Sequence, residues 1–554
     1  MRLSFVCSLL ALAGLALCAT PEEWRSRSIY QVVTDRFALA NGSTEAPCNP
    51  SQGIYCGGSY NGLIERLDYI QDMGFTAIWI SPITYQLTKK TSDLTSYHGY
   101  WQQDLYSLNS NFGSDDELRQ LADELHSRGM YLMVDIVVNH FAWPGGESSV
   151  KYNQFTPFDD DSYFHSYCSV TSETNQTNLD DCWLGDDVVE LPDLRTEDPA
   201  VASVLNEWIG GLVSNYSVDG LRLDSARNVN QDFFPKFNKA AGVFCIGEVA
   251  NGDANYTCGY QDSIDSVLNY PLYFVLVRAF QSPTSSISDL SAEMKSVRAA
   301  CKDPTLLGTF SENHDVPRFP SYTPDISLAK NVIAFTILSE GIPIIYQGQE
   351  QHFSGAYNPV NREAVWTAGY NSSGPLYSFI ALLNGVRNQA IHMAQNYTIY
   401  QSLQIYEDDY TLALRRGFNG TQTILVLSNL GTSGDSYTLH LNGSDFTPGQ
   451  NLTEILGCTT VLVDSNGAIP IRMEQGLPKV FYPSELLKGS DVCQPQKTLP
   501  TPTFTGAPPS LTAVATPTYT GKHKKSAAMG FTDTLSSSLV ILSSLFITLW
   551  LQSA

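Results

Sequence analysis

Between residues 29 and 350 the chain alternates short apolar runs with stretches of helical spacing. Eight runs, most of them rich in Val and Ile, are mostly separated by segments such as DDELRQLADELHSRG, where apolar residues recur at helical spacing before a glycine. Repeated strand–helix units of this kind predict an α/β fold, a parallel (β/α)8 or TIM barrel. The runs are SIYQVVTDRF, TAIWISPI, MYLMVDIVVNH, GLRLDS, VFCIGEV, SIDSVLNY, LLGTFSENHD and GIPIIYQGQE.

Two parts of the chain depart from this pattern. Residues 140–194 are too long for a simple crossover and contain two cysteines, several aspartates and many turn residues, which indicates a small domain inserted after the third strand. From about residue 400 the pattern changes to short alternating segments, such as TLALRRG, TILVLSN and YTLHLNG, which predict an all-β domain. The predicted barrel therefore comprises residues 20–139 and 195–400, and the β domain residues 401–493.

Both ends of the chain carry predicted targeting signals. Residues 1–19 combine a basic residue, an apolar run and small residues, as a secretory signal cleaved after Ala19 does; the alternative, a transmembrane anchor, needs a longer run. Residues 494–525 are rich in Pro and Thr and predict a disordered stalk. Residues 526–554 match a glycosylphosphatidylinositol (GPI) attachment signal with Ser526 as the attachment site, the alternative being a tail-anchored transmembrane helix.

The composition of the chain indicates the size of its core and the sign of its surface charge, and it gives further evidence of export. The 554 residues are 43% hydrophobic, enough for a large core and two or three domains. The formal net charge of −24 repels phosphate backbones, which argues against nucleic acid as a partner. Nine Asn-x-Ser/Thr sequons agree with export: Asn41, Asn175, Asn215, Asn255, Asn371, Asn396, Asn419, Asn442 and Asn451.

Nine of the eleven cysteines remain once Cys7 and Cys18 of the predicted signal are removed. Closeness in sequence suggests two disulfides, and the order of the rest suggests two more, with Cys245 left free. Sequence alone does not fix this connectivity. The suggested pairs are Cys48–Cys56, Cys168–Cys182, Cys258–Cys301 and Cys458–Cys493.

Four of the predicted strand ends carry carboxylates or histidine. They are residues 135–140 (DIVVNH), 222–224 (RLD), 247–248 (GE) and 312–315 (ENHD). Each alone is explained as well by a cap, a turn or a hydrogen-bonded structural histidine. The carboxyl ends of parallel barrel strands point into one cleft, however, so four such clusters indicate a catalytic site.

The second cluster raises a question of its own. Arg222 and Asp224 are two residues apart on a strand, so they share one face while Leu221 and Leu223 share the other. A charged pair on an otherwise apolar strand is either a structural ion pair or a catalytic carboxylate with its cation.

The ordered motifs resemble those of the fungal α-amylases of glycoside hydrolase family 13. DIVVNH, GLRLDSARN, IGEV and SENHD correspond in order to its four signature regions, and the similarity extends from about residue 24 to residue 493. It includes YHGYWQQDLYSLN, DCWLGDDVVELPDL and GIPIIYQGQEQHFSG. The resemblance implies a (β/α)8 barrel, an inserted domain after the third strand and a C-terminal β-sandwich. With its predicted lipid anchor, the chain is similar to the GPI-anchored amylase and 4-α-glucanotransferase members.

The resemblance also implies a retaining cleavage of internal α-1,4-glucosidic bonds through a covalent glycosyl-enzyme, which needs two carboxyl groups about 5 Å apart. Asp224 matches the nucleophile, Glu248 the general acid/base and Asp315 the carboxylate that stabilises the transition state. Arg222 is expected to keep the nucleophile ionised. The substrate-binding residues that the resemblance implies are His98, Tyr100, Trp101, His140, Arg222, Arg227, Gly252, His314 and Arg362.

Members of the family bind a structural Ca²⁺ between the barrel and the inserted domain. The residues that match its ligands are Asn139, Asp180, Asp193 and the backbone carbonyl of Asn228. All of them offer oxygen atoms, the donors that Ca²⁺ requires. Asp180 stands where a fungal α-amylase usually has the longer Glu, which bears on the affinity.

Two positions of the expected cleft depart from the family pattern. The signature after the nucleophile usually ends in Lys-His, whereas here it ends in Arg227 and Asn228, on the side that receives the acceptor. Arginine keeps the charge but presents a wider fork of donors. Asn358 stands where family members often have Asp, on the donor side. The acceptor side influences whether water or a sugar hydroxyl attacks the glycosyl-enzyme, so these changes favour transfer.

We therefore expect a 4-α-glucanotransferase that remodels α-glucan of the cell wall. The alternative is a hydrolytic α-amylase acting on starch or maltooligosaccharides. A third hypothesis, a non-catalytic glucan-binding surface protein, predicts the loss of an acid, yet all three carboxylates are present. The expected location is the outer face of the plasma membrane, with the cell wall as a further site. The expected partners are an α-glucan or maltooligosaccharide, the membrane through the lipid, and wall glucan; we expect a monomer.

Overall fold

A computed structural model describes residues 19–92 and 94–493 of the chain. Residues 1–18 of the predicted secretory signal, the predicted stalk and the predicted GPI signal with Ser526 lie outside the described residues. Within the described part, no helix combines the length and the apolar character that a membrane span needs.

The described residues form strands and helices in alternation, followed by strands alone. In chain order the strands are β1 (Ile29–Gln31), β2 (Ala77–Ile80), β3 (Thr84–Gln86), β4 (Gln102–Leu108), β5 (Tyr131–Ile136), β6 (Trp143–Pro144), β7 (Leu184–Gly185), β8 (Val189–Leu191), β9 (Gly220–Leu223), β10 (Phe244–Gly247), β11 (Ser266–Val267), β12 (Gly308–Thr309), β13 (Ile342–Tyr346), β14 (Leu403–Glu407), β15 (Thr411–Arg416), β16 (Thr423–Ser428), β17 (Tyr437–Leu441), β18 (Asn451–Glu454), β19 (Thr459–Leu462), β20 (Ile469–Met473) and β21 (Lys479–Pro483). The α-helices are α1 (Pro21–Trp24), α2 (Thr34–Phe37), α3 (Tyr60–Glu65), α4 (Leu67–Gln71), α5 (Asp115–Ser127), α6 (Gln176–Asp181), α7 (Pro199–Tyr216), α8 (Phe234–Ala241), α9 (Ala254–Gly259), α10 (Tyr270–Phe280), α11 (Ile287–Ala300), α12 (Phe319–Tyr322), α13 (Ile326–Leu338) and α14 (Pro375–Met393).

Eight parallel strands form the barrel. Their order is β11-β10-β9-β5-β2-β1-β13-β12. A parallel bridge between Leu268 and Gly308 joins the two ends of this order and closes the barrel. Each of the eight predicted apolar runs contains one of these strands, and helices lie between successive strands. The predicted (β/α)8 barrel is therefore confirmed.

Two barrel strands, β11 and β12, are shorter than their apolar runs because neighbouring polar groups end them. After β11, the Asn269 side chain accepts a hydrogen bond from the Leu272 N–H (3.2 Å), which caps α10. After β12, the Glu312 carboxylate accepts from the Phe319 N–H (3.0 Å) and pairs with Arg318. The strand ends thus depend on contacts that apolar periodicity does not show.

The connection after β2 contains an antiparallel hairpin, β3 with β4, that the apolar pattern did not predict. The hairpin is irregular in register. The motif YHGYWQQDLYSLN includes β4 but not β3. The outer side of the hairpin packs beside α7, where the two elements line a pocket.

The segment between β5 and α7 forms a small folded unit. Its three-stranded sheet has the order β6-β8-β7. Bridges between His140 and Asp193 and between Phe164 and Leu194 hold its two ends together. An aromatic cluster fills its interior; the rings are Phe141, Phe155, Phe158 and Phe164.

Strands β14–β21 form the C-terminal all-β domain, as predicted. A six-stranded sheet of order β14-β15-β16-β21-β18-β19 is accompanied by the two-stranded sheet β17-β20. The alternating residues of these strands meet in a separate apolar core, which includes Ala413, Val426, Leu441, Leu452, Ile471 and Phe481.

Four disulfides join the same pairs that the cysteine spacing suggested: Cys48–Cys56, Cys168–Cys182, Cys258–Cys301 and Cys458–Cys493. Cys245 is a free thiol, fully buried in β10. Burial raises the pKa of this thiol, with Asp265 adding to the effect, so it stays protonated.

Asn331 of α13 connects the barrel to the β domain. The side chain is fully buried. Its Nδ2 donates to the Gly476 carbonyl oxygen (2.7 Å), and its Oδ1 accepts from the Ser428 N–H (2.8 Å). One amide therefore satisfies two backbone groups of the β domain from within a barrel helix.

We expect Asn331→Ala to lower the free energy of unfolding by about 2–4 kcal/mol, because it leaves buried backbone groups of Gly476 and Ser428 unpaired. Thr336→Val is the matched control, since among residues 19–92 and 94–493 the Thr336 hydroxyl bonds only to Val332 of its own helix. Its cost should stay at about 1 kcal/mol. Chemical denaturation of both variants measures the difference, and equal costs would contradict the role assigned to Asn331.

Candidate active site

The fully buried guanidinium of Arg222 joins three carboxylates. Its Nη1 donates to Asp224 Oδ1 (2.6 Å) and to Asp135 Oδ1 (2.9 Å). Its Nη2 lies 2.8 Å from Glu248 Oε2. Asp135 belongs to β5, and the other two acids directly follow β9 and β10, which are neighbours in the barrel. The Arg222–Asp224 pair is thus part of a larger charge cluster.

Ser225 links Asp224 to Glu248. Its N–H donates to Glu248 Oε2 (3.0 Å), and its hydroxyl donates to Asp224 Oδ2 (3.0 Å). Ser225 adopts the left-handed backbone conformation (φ 46°), which is rare for a residue with a side chain and typical of functional sites. The Tyr270 hydroxyl donates to Glu248 Oε1 (3.2 Å).

The Asp224 carboxyl group has a raised pKa. Burial raises the pKa of Asp224 to about 8; Arg222 opposes this shift, while Glu248, Asp135 and Asp315 add to it. The guanidinium of Arg222 therefore does not offset the loss of water around this carboxyl group and the negative charges beside it.

Asp315 lies in a different electrostatic setting. Its Oδ1 accepts from Arg362 Nη2 (2.9 Å), and its Oδ2 lies 3.0 Å from His314 Nε2. Desolvation alone would raise the pKa of Asp315, but His314, Arg362 and Arg222 hold it well below its usual range. Asp315 is therefore ionised wherever the protein is folded at ordinary pH.

Three nearly parallel rings form one side of the site. The His98 ring stacks on Tyr100 (centroids 5.6 Å apart, planes at 16°), and Tyr100 stacks on His314 (5.4 Å, 4°). The Tyr100 hydroxyl donates to Asp135 Oδ2 (2.8 Å), which ties the rings to the charge cluster. Trp101 packs edge-on against His98 at 4.8 Å. The row is thus held in place by hydrogen bonds as well as by packing.

His140 lies behind the stacked rings. Its Nε2 is 3.1 Å from the Tyr100 carbonyl oxygen. Burial lowers the pKa of His140 to about 4, and burial also lowers the pKa of His98. Both imidazoles are therefore neutral near pH 7.

Arg227 makes its contacts with the insert and the loop after β10. Its Nη1 donates to the Ala250 carbonyl oxygen (2.7 Å), and its Nη2 pairs with the Glu173 carboxylate of the insert. Gly252 is exposed on the same loop. Among the described residues, neither Arg227 nor Gly252 has a hydrogen bond to the three proposed catalytic carboxylates. Asn358 is exposed beside Tyr357.

Asn139 and Asp193, two of the predicted metal ligands, are neighbours. The Leu194 N–H donates to the Asn139 carbonyl oxygen (2.8 Å). Asn139 Oδ1 and Asp193 Oδ1 are both buried without a hydrogen-bond partner in the described structure. Asp193 Oδ2 lies 2.7 Å from His165 Nδ1. Two buried oxygens of this kind are costly unless a cation or another donor meets them.

Asp180 and Asn228 lie together at the junction of insert and barrel. Gln176 Nε2 donates to Asp180 Oδ1 (2.7 Å) and to the Arg227 carbonyl oxygen (3.0 Å). Asn228 Nδ2 donates to the Leu179 carbonyl oxygen (3.3 Å). Within the described residues no group of three or more His, Cys, Asp or Glu side chains is arranged to hold a metal ion. The predicted set contains only two carboxylates, so it depends on amide and backbone oxygens.

Several residues of the site had no role assigned from sequence. Gln31 Nε2 lies 2.8 Å from His314 Nδ1, and a lone glutamine in the apolar first run was the available signal. Asp135 stood in a predicted cluster without a function of its own. Nothing near Tyr270 or Glu173 in the sequence indicates that they reach Glu248 and Arg227 respectively.

Comparison with known proteins agrees with this architecture. Residues 31–374 match the family model "Alpha amylase, catalytic domain", and residues 404–499 match "Alpha-amylase, domain C". Alpha-amylase 2 of Schwanniomyces occidentalis is 50% identical over 470 residues, which cover 85% of this chain and 92% of that protein. Alpha-amylase 1 of Lipomyces kononenkoae is 53% identical over 474 residues, covering 86% and 76%. The solved α-amylase of Malbranchea cinnamomea has a TM-score of 0.84 at 49% identity, covering 86% and 100%.

The chain therefore belongs to the α-amylase family of glycosidases, glycoside hydrolase family 13.

The raised pKa of Asp224 predicts the acid side of the pH profile, because a carboxyl group must be ionised to act as a nucleophile. We expect kcat/KM toward maltoheptaose to rise as the pH rises toward about 8, where Asp224 loses its proton. Asp135→Asn removes a negative charge that raises this pKa and releases Arg222 to Asp224. Both effects favour ionisation, so this limb should move to lower pH by about one unit.

Asp116→Asn provides the control, since this carboxylate is 97% exposed on α5. It should leave the limb in place. A limb in Asp135→Asn that stays where it is, or moves to higher pH, would contradict the effect assigned to Asp135 on the pKa of Asp224.

Proposed function

We propose that the protein hydrolyses internal α-1,4-glucosidic bonds of starch-type glucans and maltooligosaccharides, with retention at the anomeric carbon. The observation that carries this proposal is the placement of Asp224 and Glu248 on adjacent nitrogens of one buried guanidinium. A retaining glycosidase needs two such carboxyl groups about 5 Å apart. The family and the names of the related proteins support an α-glucan as the substrate.

In this mechanism Asp224 is the nucleophile and Glu248 the acid/base. Arg222 and the Ser225 hydroxyl hold the Asp224 carboxylate in place. Asp224 attacks the anomeric carbon while the bond to the leaving glucose oxygen breaks and Glu248 gives that oxygen a proton. Glu248 then takes a proton from water, which attacks the same carbon and releases Asp224. Asp224 must be ionised for this attack, so its raised pKa sets the acid side of the pH dependence.

The other predicted residues surround the reacting sugar in this proposal. Asp315 stays ionised and stabilises the positive charge that develops at the ring, an electrostatic contribution made without reorganisation. The stacked row of His98, Tyr100 and His314, with Trp101 beside it, provides a wall against which a glucose ring packs. Arg362 fixes Asp315, and neutral His140 supports Tyr100 from behind.

Hydrolysis replaces the transfer that the sequence at Arg227 and Asn228 led us to expect. The related proteins are named as α-amylases, which favours the hydrolytic alternative. The contacts of Arg227 support it too, because Glu173 and the Ala250 carbonyl hold the guanidinium that would otherwise bind an acceptor sugar. Asn228 directs its amide to Leu179.

Product analysis with maltoheptaose tests the proposed function. Hydrolysis gives only shorter sugars and one new reducing end for each bond cleaved, whereas transfer also gives sugars longer than the substrate. We expect shorter products alone at low substrate concentration. Longer products without new reducing ends would show a glucanotransferase instead.

Two carboxylate variants accompany that measurement. Glu248→Gln cannot protonate the leaving oxygen, so its rate should fall by about 10²–10⁴. Glu147→Gln, an exposed carboxylate of the insert, should retain the full rate. An active Glu248→Gln would point to a different acid or to a binding protein.

We further propose that Asn139, Asp193, Asp180 and the Asn228 carbonyl hold a Ca²⁺ that links the insert to the barrel. The two unpartnered buried oxygens of Asn139 and Asp193 support it, and all four donors are oxygens. The ion would supply cross-linking charge between the two parts and take no part in bond cleavage.

A chelator should therefore lower the melting temperature. A free Ca²⁺ concentration of about 100 times the Kd adds about 2.7 kcal/mol to the free energy of unfolding, and the chelator removes this contribution. Ca²⁺ should restore the loss and Mg²⁺ should not, since Mg²⁺ demands a tighter octahedral site. Asp193→Asn should abolish most of this dependence, whereas Asp187→Asn, exposed on the insert, should keep it. Thermal unfolding with and without EGTA measures both, and a wild-type protein indifferent to EGTA would refute the site.

We also propose that the protein is located outside the cell, at the plasma membrane or the cell wall. The targeting segments predicted in the sequence at residues 1–19 and 494–554 support this proposal.

A further inference from the structure

Gln31, the last residue of β1, carries a buried amide into the barrel. Its side chain is only 2% exposed, and in the sheet it stands between Trp79 of β2 and Tyr346 of β13. A buried amide is costly unless it is hydrogen-bonded. Its Nε2 lies 2.8 Å from Nδ1 of His314. The proposed mechanism so far gives this contact no role.

The other ring nitrogen of His314, Nε2, faces two hydrogen-bond acceptors. It lies 3.0 Å from Asp315 Oδ2 and 2.7 Å from the Tyr100 hydroxyl oxygen. The hydroxyl of Tyr100 donates its own proton to Asp135 Oδ2 (2.8 Å), so its oxygen accepts from His314. An ionised carboxylate can only accept. Nε2 of His314 therefore carries a hydrogen.

The amide of Gln31 decides whether Nδ1 of His314 carries a hydrogen as well. The amide nitrogen is the atom that lies against Nδ1, so it donates and Nδ1 accepts with its lone pair. Gln31 Oε1 is buried and makes no hydrogen bond among the described residues. If that oxygen faced the ring instead, Nδ1 would have to donate and the imidazole would hold two protons. The observed contact thus corresponds to a ring with one proton, on Nε2.

The charges around the imidazole nearly cancel. Two carboxylates and two guanidiniums surround it: Asp135, Asp315, Arg222 and Arg362. Burial raises the pKa of Tyr100 and lowers the pKa of His98, so both of these neighbours are uncharged near neutral pH. The surrounding field therefore does not force a second proton onto the ring, and the hydrogen-bond partner at Nδ1 decides.

We propose that Gln31 is a positioning residue for the cleavage: by donating to Nδ1 of His314, it keeps the Nε2–H of that ring directed at Asp315. The Asp315 carboxylate then keeps its orientation toward the reacting sugar. In this proposal Gln31 acts through His314 and does not bind the sugar. The inference rests on the proposed glycosidase function, but the hydrogen bond itself can be tested without any activity.

The expected size of the effect follows from this indirect action. Removing a donor that acts directly on the charge of a transition state lowers kcat by about 10²–10³. Gln31 acts one residue further away, and Arg362 still holds the other oxygen of Asp315. The loss on removing the Gln31 amide should therefore be about tenfold.

Nitrogen NMR of the protein with isotope-labelled histidine tests the hydrogen bond. His314→Phe identifies the signals of His314 by their absence. Near neutral pH we expect one protonated ring nitrogen, Nε2, and one unprotonated ring nitrogen, Nδ1. A ring with both nitrogens protonated, or with its proton on Nδ1 alone, would overturn the proposal.

Gln31→Met tests the effect on the reaction, since it removes the amide donor and keeps the length of the side chain. We expect kcat toward maltoheptaose to fall about tenfold while KM changes by less than about twofold. The reason is that Asp315 acts on a charge that develops only in the transition state. A rise in KM with an unchanged kcat would contradict the positioning role.

Gln347→Met is the matched control. Gln347 directly follows β13, is fully buried, and donates its backbone N–H to the Gln31 carbonyl oxygen (2.9 Å). Its Oε1 accepts from the Val33 N–H (3.0 Å), and within residues 19–92 and 94–493 it has no hydrogen bond to His314. This variant should keep kcat within about twofold of the wild type. An equal fall in both variants would show a packing effect and overturn the proposal.

A double-mutant cycle tests whether Gln31 acts through His314. His314→Phe keeps a ring on Tyr100 but removes both nitrogens, so adding Gln31→Met to it should change kcat by less than about twofold. A further tenfold fall would overturn the proposal. Cleavage is counted whether water or a sugar is the acceptor, so a transferase leaves this test intact. A protein that cleaves no α-glucan would refute the proposed function, and the NMR result would still decide about Gln31.

Discussion

The buried guanidinium of Arg222 constrains both the barrel and its chemistry. Removing a cation from water costs several kcal/mol unless opposite charges meet it with good geometry, and three strands supply those charges. The register aligns Asp135 directly with Arg222 across β5 and β9. A slip of one residue would turn the arginine to the other face and leave it unpaired. The groups proposed to cleave the glucan therefore also align the strands that present them.

Much of the fold could be predicted because its signal is local. Eight buried strands with intervening helices produce a periodic pattern of apolar residues in the sequence. The strands of the C-terminal domain produce a second pattern, in which apolar and polar residues alternate. The β3–β4 hairpin left no such trace, since its strands are only partly buried and irregular in register. The early ends of β11 and β12 arise from side-chain caps at Asn269 and Glu312, which periodicity does not show.

In the candidate active site, too, some residues could be predicted from the sequence and others could not. Asp224 and Glu248 directly follow β9 and β10, and Asp315 lies in the loop after β12, where barrel geometry predicts that functional groups converge. Tyr270 and Gln31 reach the same cluster from elements far away in sequence, so only three-dimensional packing reveals them. Arg227 is the opposite case, because its position in the sequence departs from the family pattern. The residue that orients its side chain is Glu173, which belongs to the insert. Residue identity predicted the chemistry, and tertiary contacts decided which groups are free to perform it.

The free thiol of Cys245 makes correct disulfide pairing depend on when the barrel closes. In an oxidising compartment an odd cysteine competes with eight others for partners, and Cys258 follows only thirteen residues later in the sequence. In the closed barrel Cys245 is fully buried and protonated, so it has no thiolate to offer for exchange. Closure of the barrel around β10 thus protects the native pairing, and a chain oxidised before that closure risks the wrong bond. In such a compartment the order of folding and oxidation would therefore influence which disulfides form.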